Sequence, residues 1–144
     1  MKRILIIAAS TAALAIPALA VGQTARDNHF GHLVGAKSSA VKFKEALAGG
    51  TRAVTSFAVR DFEVGCDGGF VGLLKVAKLQ GTVDVSAGGS FKVADDNGKT
   101  VFKVNGQINR NKSFGTFRYF GQIPAEDGVT RDCDSGKLGW ITRP

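Results

Sequence analysis

The sequence predicts an all-β domain of antiparallel strands, and three observations carry that expectation. Apolar and polar residues alternate over short runs, the period of a half-buried strand. Clusters of Gly, Asn, Asp and Ser interrupt the runs about every 8–12 residues, as turns do in sandwiches and barrels. Ten Phe residues, with many Val and Thr, favour strands over helices. The architecture expected is an antiparallel β-sandwich, immunoglobulin-like or jelly-roll-like, with a small barrel as the alternative. It follows an N-terminal signal helix.

The first 20 residues read as an address. Met1-Lys2-Arg3 is a short positive start, and Ile4 to Ile16 is apolar except for Ser10 and Thr11. Pro17 breaks the helix, and Ala18-Leu19-Ala20 places small residues where a signal peptidase cuts. Those parts in that order make a secretory signal peptide, and the apolar run is short for a bilayer span of roughly 20 residues. Once cleaved, the chain has no stable membrane span and is expected to be secreted, extracellular or associated with the cell envelope. Residues 21–29 read as a flexible leader and 30–144 as a single domain, long enough for one core. All 19 glycines lie beyond residue 20, which fits a turn-rich domain. This composition excludes a coiled coil, a transmembrane channel, a multidomain enzyme and a disordered tail.

Each element has its own signal. Phe30 to Ala36 is the first expected strand. Ala40 to Lys44 points Val41 and Phe43 inward and Lys42 and Lys44 outward, before a turn at Ala48-Gly49-Gly50-Thr51. Val54 to Val59 is the next strand, and Arg60 to Cys66 another run, with Phe62, Val64 and Cys66 on one face. Asp67-Gly68-Gly69 turns the chain into a strand over Phe70 to Leu79. Phe91 and Val93 oppose Lys92, and Asp95-Asp96-Asn97-Gly98 forms a loop whose Asn-Gly tolerates positive φ. Phe102, Val104 and Ile108 resume the alternation. A second hairpin turns at Arg110 to Ser113 and returns through Gly115 to Phe120. Residues 121–131 are expected as a loop, and Lys137 to Thr142 closes the domain with Trp140.

Cys66 and Cys133 are the only two cysteines. In an exported chain they are expected to form a disulfide, because two thiolates cannot complete a zinc site. The bridge brings the strand ending at Cys66 beside the segment that enters the last strand.

Candidate chemistry is sparse. His29 and His32 point to opposite sides of a strand and read as exposed polar residues; a metal pair would need further ligands such as Asp27. No serine sits in a nucleophile elbow. With the disulfide formed, Asp67, Asp132 and Asp134 share one neighbourhood, where three oxygen donors are a candidate calcium site. Turn chemistry explains the same residues. The chain carries 19 Lys and Arg against 12 Asp and Glu, a formal net charge of +7 at pH 7, of which Lys2 and Arg3 would leave with the signal peptide. Lys42, Lys44, Lys92, Lys103 and Arg118 lie on or beside strands, as do Lys75, Lys78, Arg110 and Lys112. Where the strands adjoin, these form a basic stripe for a polyanion, although outward Lys also guards strand edges. The Phe residues alternate with Lys as core positions do, so nucleic acid is not expected. Asn111-Lys112-Ser113 matches a glycosylation sequon.

The closing segment Cys133-Asp134-Ser135-Gly136-Lys137-Leu138-Gly139-Trp140-Ile141-Thr142-Arg143 resembles the C-terminal signature of uncharacterised exported actinobacterial-type proteins. In these, a C-D-S-G turn leads into a last strand bearing Trp. Val104-Asn105-Gly106-Gln107-Ile108 and Gly115-Thr116-Phe117-Arg118-Tyr119 resemble the penultimate hairpin of that group. So does a Cys followed by Asp-Gly, here Cys66-Asp67-Gly68. The resemblance implies an exported β-sandwich with one disulfide, and no activity or site residue transfers with it. The function expected is a secreted, non-enzymatic binding module whose partner is an acidic envelope polymer or an extracellular protein. The alternative is a small secreted hydrolase, or an inhibitor of one that presents the 121–131 loop around Pro124.

Overall fold

Residues 27–79 and 81–144 are described by the computed structural model. The expected signal peptide and most of the expected leader therefore lie outside the described residues. Among the described residues, ten strands run in chain order: β1 (Asp27–Leu33), β2 (Ala36–Ala48), β3 (Thr51–Cys66), β4 (Phe70–Lys78), β5 (Val83–Asp84), β6 (Ser90–Asp96), β7 (Thr100–Ile108), β8 (Ser113–Pro124), β9 (Thr130–Asp134) and β10 (Leu138–Arg143). A 3-10 turn, Asp67–Gly69, links β3 to β4.

The all-β antiparallel expectation holds, but the strands close into a barrel rather than stacking as two sheets. Six of them form the ring β1-β2-β3-β9-β8-β10, and β10 pairs with both β1 and β8. β4 and β5 pair on β3, and β7 and then β6 pair on β8, outside that ring. Two long strands make the closure work by changing partner along their length. β8 gives Ser113–Phe117 to β10 and Phe120–Pro124 to β9. β3 gives Thr51–Arg60 to β2, then Gly65 and Cys66 to β9.

β3 is also where local sequence reading divides one strand into two. Thr55 is an extra residue opposite Lys44/Glu45, and Asp61 adopts a left-handed φ of 51°, a conformation Asp tolerates better than most residues. Each irregularity resets the inward phase, from Val54 to Phe57 and Val59, then to Phe62 and Val64. Bulges of this kind increase coiling, which a single strand needs to serve two sides of a barrel.

The core is aromatic. Trp140 lies against Phe57 and Phe43 with ring centroids 5.3 and 5.8 Å apart, and Phe62 meets Phe117 edge-on at 5.0 Å. Such geometries add to the large area each ring removes from water. The Trp140 ring fits only because its floor has no side chains. Gly106 and Gly115 face each other across β7 and β8, and Trp140 is paired with Gly115. A Cβ at Gly115 would lie 1.9 Å from the Asn105 carbonyl oxygen and 2.8 Å from Trp140 Cζ2. Gly115→Ala is therefore expected to destabilise the fold by about 1–3 kcal/mol or more. A urea midpoint within error of wild type would show that this close approach does not constrain the fold.

Two further expectations are corrected. β1 begins at Asp27 rather than Phe30, so part of the leader is strand; His29 is 3% exposed. The 121–131 loop is mostly hairpin, because Gly121–Pro124 pairs with Thr130–Cys133. Only Ala125–Val129 remains as turn, closed by the Ala125 N–H donating to the Val129 carbonyl at 3.0 Å.

Candidate polyanion-binding surface

The Cys66–Cys133 disulfide is formed, joining residues 67 apart that also face each other in the β3–β9 register. Cys133 points into the barrel and is buried, so its neighbours Asp132 and Asp134 point outward by alternation. Asp134 is already engaged: the Arg118 guanidinium donates to both of its carboxylate oxygens. That pairing, ahead of all other influences, holds its carboxyl below the usual carboxylate range. Asp67 and Asp132 are exposed. Among the described residues no group of three or more His, Cys, Asp or Glu converges on a point that would hold a metal ion, so Asp67, Asp132 and Asp134 do not form the calcium cluster expected from their spacing.

The serines brace turns. Ser39 Oγ accepts from the Leu33 N–H at 2.9 Å and donates to the Ala36 carbonyl at 2.6 Å, locking the β1–β2 hairpin. Ser135 Oγ accepts from the Tyr119 N–H at 2.8 Å. The short β8–β9 turn is held by Arg131, which pairs with Asp127 and covers the Phe70 ring at 4.0 Å. Chiefly through the Arg131 hydrogen bond, the Asp127 pKa falls to about 2.

His29 and His32 do point to opposite sides, as a strand requires, but His29 is inside. Its ring stacks on Phe43 at 4.1 Å, and its Nε2 lies 3.5 Å from Glu45 Oε2. Glu45 accepts from Arg52 Nε at 2.5 Å. Burial lowers the His29 pKa from its usual 6.5, and the attraction of Glu45 and Asp27 does not offset it. The folded chain therefore resists a proton that the unfolded chain accepts. Stability from this site is complete above pH about 6.5 and falls as the pH drops below it. Urea midpoints should decline between pH about 7.5 and about 5.5, and His29→Phe should remove part of that decline. An NMR midpoint for His29 at or above 6.5 would contradict the assignment.

The basic residues expected to form one stripe do not all adjoin: Lys42, Lys44, Lys92, Lys103 and Arg118 fall into two groups, with β10 and β1 between them. Lys92, Lys103 and Arg118 lie on β6, β7 and β8, where Lys103 and Arg118 face each other beside Val101 and Phe120 in a shallow groove of about 200 Å³. Arg118 is neutralised there by Asp134. Lys42 and Lys44 lie on β2, in a different electrostatic setting.

Here the registers align one residue from each of five strands in a single row: Arg143, Phe30, Lys42, Ala58 and Lys78 on β10, β1, β2, β3 and β4. Adjacent strands are about 4.8 Å apart, so the three cations recur about every 10 Å along the row. Arg60 stands on β3 beside them, opposite Ala40. Ala40, Ser56 and Ala58 are too small to fill the space between the long side chains. The result is a groove of about 530 Å³ lined by Phe30, Lys42, Arg60 and Lys78, with no acidic residue in its lining. Among the described residues no ion pair engages these cations. With no counter-charge in its lining, the groove favours anions.

Arg60 and Arg143 were not among the residues singled out by sequence, and neither were the aromatic members of this surface. Phe30 is 54% exposed and Phe114 42%. Lys42 Nζ stands 4.8 Å from the Phe30 ring centre and Lys112 Nζ 5.8 Å from that of Phe114. A phase signal was available: Phe114 is out of step with Phe117 and Tyr119 on the same strand, so an inward Phe117 requires an outward Phe114.

The comparisons with known proteins add no kinship: the chain matches no protein-family model, no curated protein and no solved structure.

Proposed function

We propose that this protein is a secreted, non-enzymatic binding module that holds an anionic polymer on the outer wall formed by β10, β1, β2, β3 and β4. The observation that carries the reading is the row of Arg143, Lys42 and Lys78 with Arg60 alongside, of which Lys42, Lys78 and Arg60 line a groove with no acidic residue. A disulfide is consistent with an oxidising compartment outside the cytoplasm. The C-terminal resemblance to exported proteins supports the same location.

Co-sedimentation of the protein with purified acidic envelope polymer tests this. Binding should be retained at about 50 mM salt and largely lost at about 200 mM, because screening shortens the reach of exposed charges. Lys42→Glu combined with Arg60→Glu should abolish it while leaving the thermal melt unchanged, since both side chains are exposed. Binding that survives both salt and the charge reversals would overturn the assignment to this wall. No binding to any polyanion would refute the polymer reading and redirect attention to an extracellular protein partner.

A further inference from the structure

We infer that the polymer best suited to this wall is single-stranded nucleic acid, with bases stacking on Phe30 and, on the adjoining strand β8, on Phe114, and phosphates meeting the cations that flank these rings; this rests on the polyanion reading above. Alternation alone assigns every Phe to the core and so points away from nucleic acid. Four of the Phe residues are exposed, and two of these, Phe30 and Phe114, lie on one continuous surface. Phe114 on β8 faces Ile141 on β10, which faces His32 on β1, and Phe30 lies two residues along β1 from His32. All of these are outward positions, and Phe30, His32 and Phe114 are exposed. From strand spacing and rise, the two Phe backbones are about 12 Å apart, with the His32 ring between them.

Exposed rings in a basic track are what single-strand binders use: a groove of positive charge follows the backbone while aromatic faces take successive bases. The cations stand where such a chain needs them. Lys42 and Lys112 are already beside the two rings, so a base that stacks there displaces each ammonium group toward its own phosphate. Arg143, Arg60 and Lys78 continue the charge along the same wall. Acidic polysaccharide fits less well. Sugar hydroxyls call for amide and carboxylate partners, and the groove offers cations, Phe, Ala and Ser. Duplex DNA fits less well too, because its bases are stacked on each other and unavailable to the rings.

The test uses fluorescence anisotropy with labelled oligothymidylate, a duplex of equal length, and competition by hyaluronate as an acidic polysaccharide. Oligothymidylate should bind most tightly. Phe30→Ala with Phe114→Ala should weaken it by about tenfold or more without changing the slope of log K against log salt. Lys42→Ala should instead reduce that slope by about 1. Thermal melts of all variants should match wild type, since the substituted side chains are exposed. Hyaluronate binding as tightly as oligothymidylate, or a double Phe variant with undiminished affinity, would overturn the nucleic-acid inference while leaving the polyanion surface standing. Failure of all three polyanions to bind would refute both.

Discussion

Trp140→Ala is expected to cost about 3–5 kcal/mol, the range for removing a buried aromatic side chain. That is a large share of the roughly 5–15 kcal/mol that holds a domain together. The side chain is 1% exposed and touches rings from β2, β3 and β6 through Phe43, Phe57 and Phe91. Its own strand is the piece that joins β1 to β8. Removing the indole therefore leaves a cavity at the point where the barrel closes. The glycines beneath it cannot refill the space, because Gly106 and Gly115 bring no side chain to the void. Urea unfolding followed by far-ultraviolet circular dichroism measures the loss. A decrease below about 1 kcal/mol would mean that the surrounding rings collapse onto the gap and that closure does not depend on Trp140.

Cys66→Ser is expected to lower the melting temperature by about 10 °C or more. The bridge joins residues 67 apart, and the chain-entropy account of such a loop gives on the order of 4 kcal/mol. The native contacts that remain at that point are few: β3 and β9 share only the Gly65–Asp134 and Cys66–Cys133 register pairs. The disulfide thus reinforces the narrowest seam of the ring. Scanning calorimetry with a thiol assay tests it; an unchanged melt, with free thiols in the wild type, would sink the claim. Cys133→Ser should behave alike, with an added penalty for a polar group left in the buried Cys133 position.

Strand existence was legible because it depends on nearest neighbours. Val41 and Phe43 against Lys42 and Lys44, or Phe102 and Val104 against Lys103, state their own inward phase, and the structure keeps each of them. The Asn97-Gly98 turn was equally local: Asn97 Oδ1 accepts from the Thr100 N–H at 2.8 Å, and Gly98 takes a φ of 79°. The disulfide followed from number and compartment. His29 reads as exposed from its neighbours in sequence, but β2 buries it: the Phe43 ring stacks on it and Glu45 lies 3.5 Å from its Nε2, and neither residue is near it in the chain. The 121–131 segment was misread because Pro124 and Gly128 look like loop chemistry, yet Pro124 sits at a strand end, where a missing N–H costs little.

For the candidate surface, Lys42 and Lys44 were visible as outward cations, and Lys78 as another. What could not be read was which cations become neighbours. Lys103 and Arg118 look the same as Lys42 on the page, but the fold brings Asp134 to Arg118 and no carboxylate into the lining of the Lys42 groove. Phe30 and Phe114 illustrate the same limit from the apolar side: a Phe counts as core until the phase of its strand is settled.

By itself the sequence determined strand-rich local structure, the inward phase of most strands, the turns and the cysteine pairing. Each of these follows from residues a few positions apart, or from a pairing with no competitor. Only the tertiary structure decided that the sheet closes on itself, that Trp140 lies on a glycine floor, and that Arg143, Phe30, Lys42, Ala58 and Lys78 share one row. Those facts depend on register between strands distant in the chain. A shift of one residue in any pairing would turn that strand's side chains to the other face, so the binding wall exists only once every register along it is set.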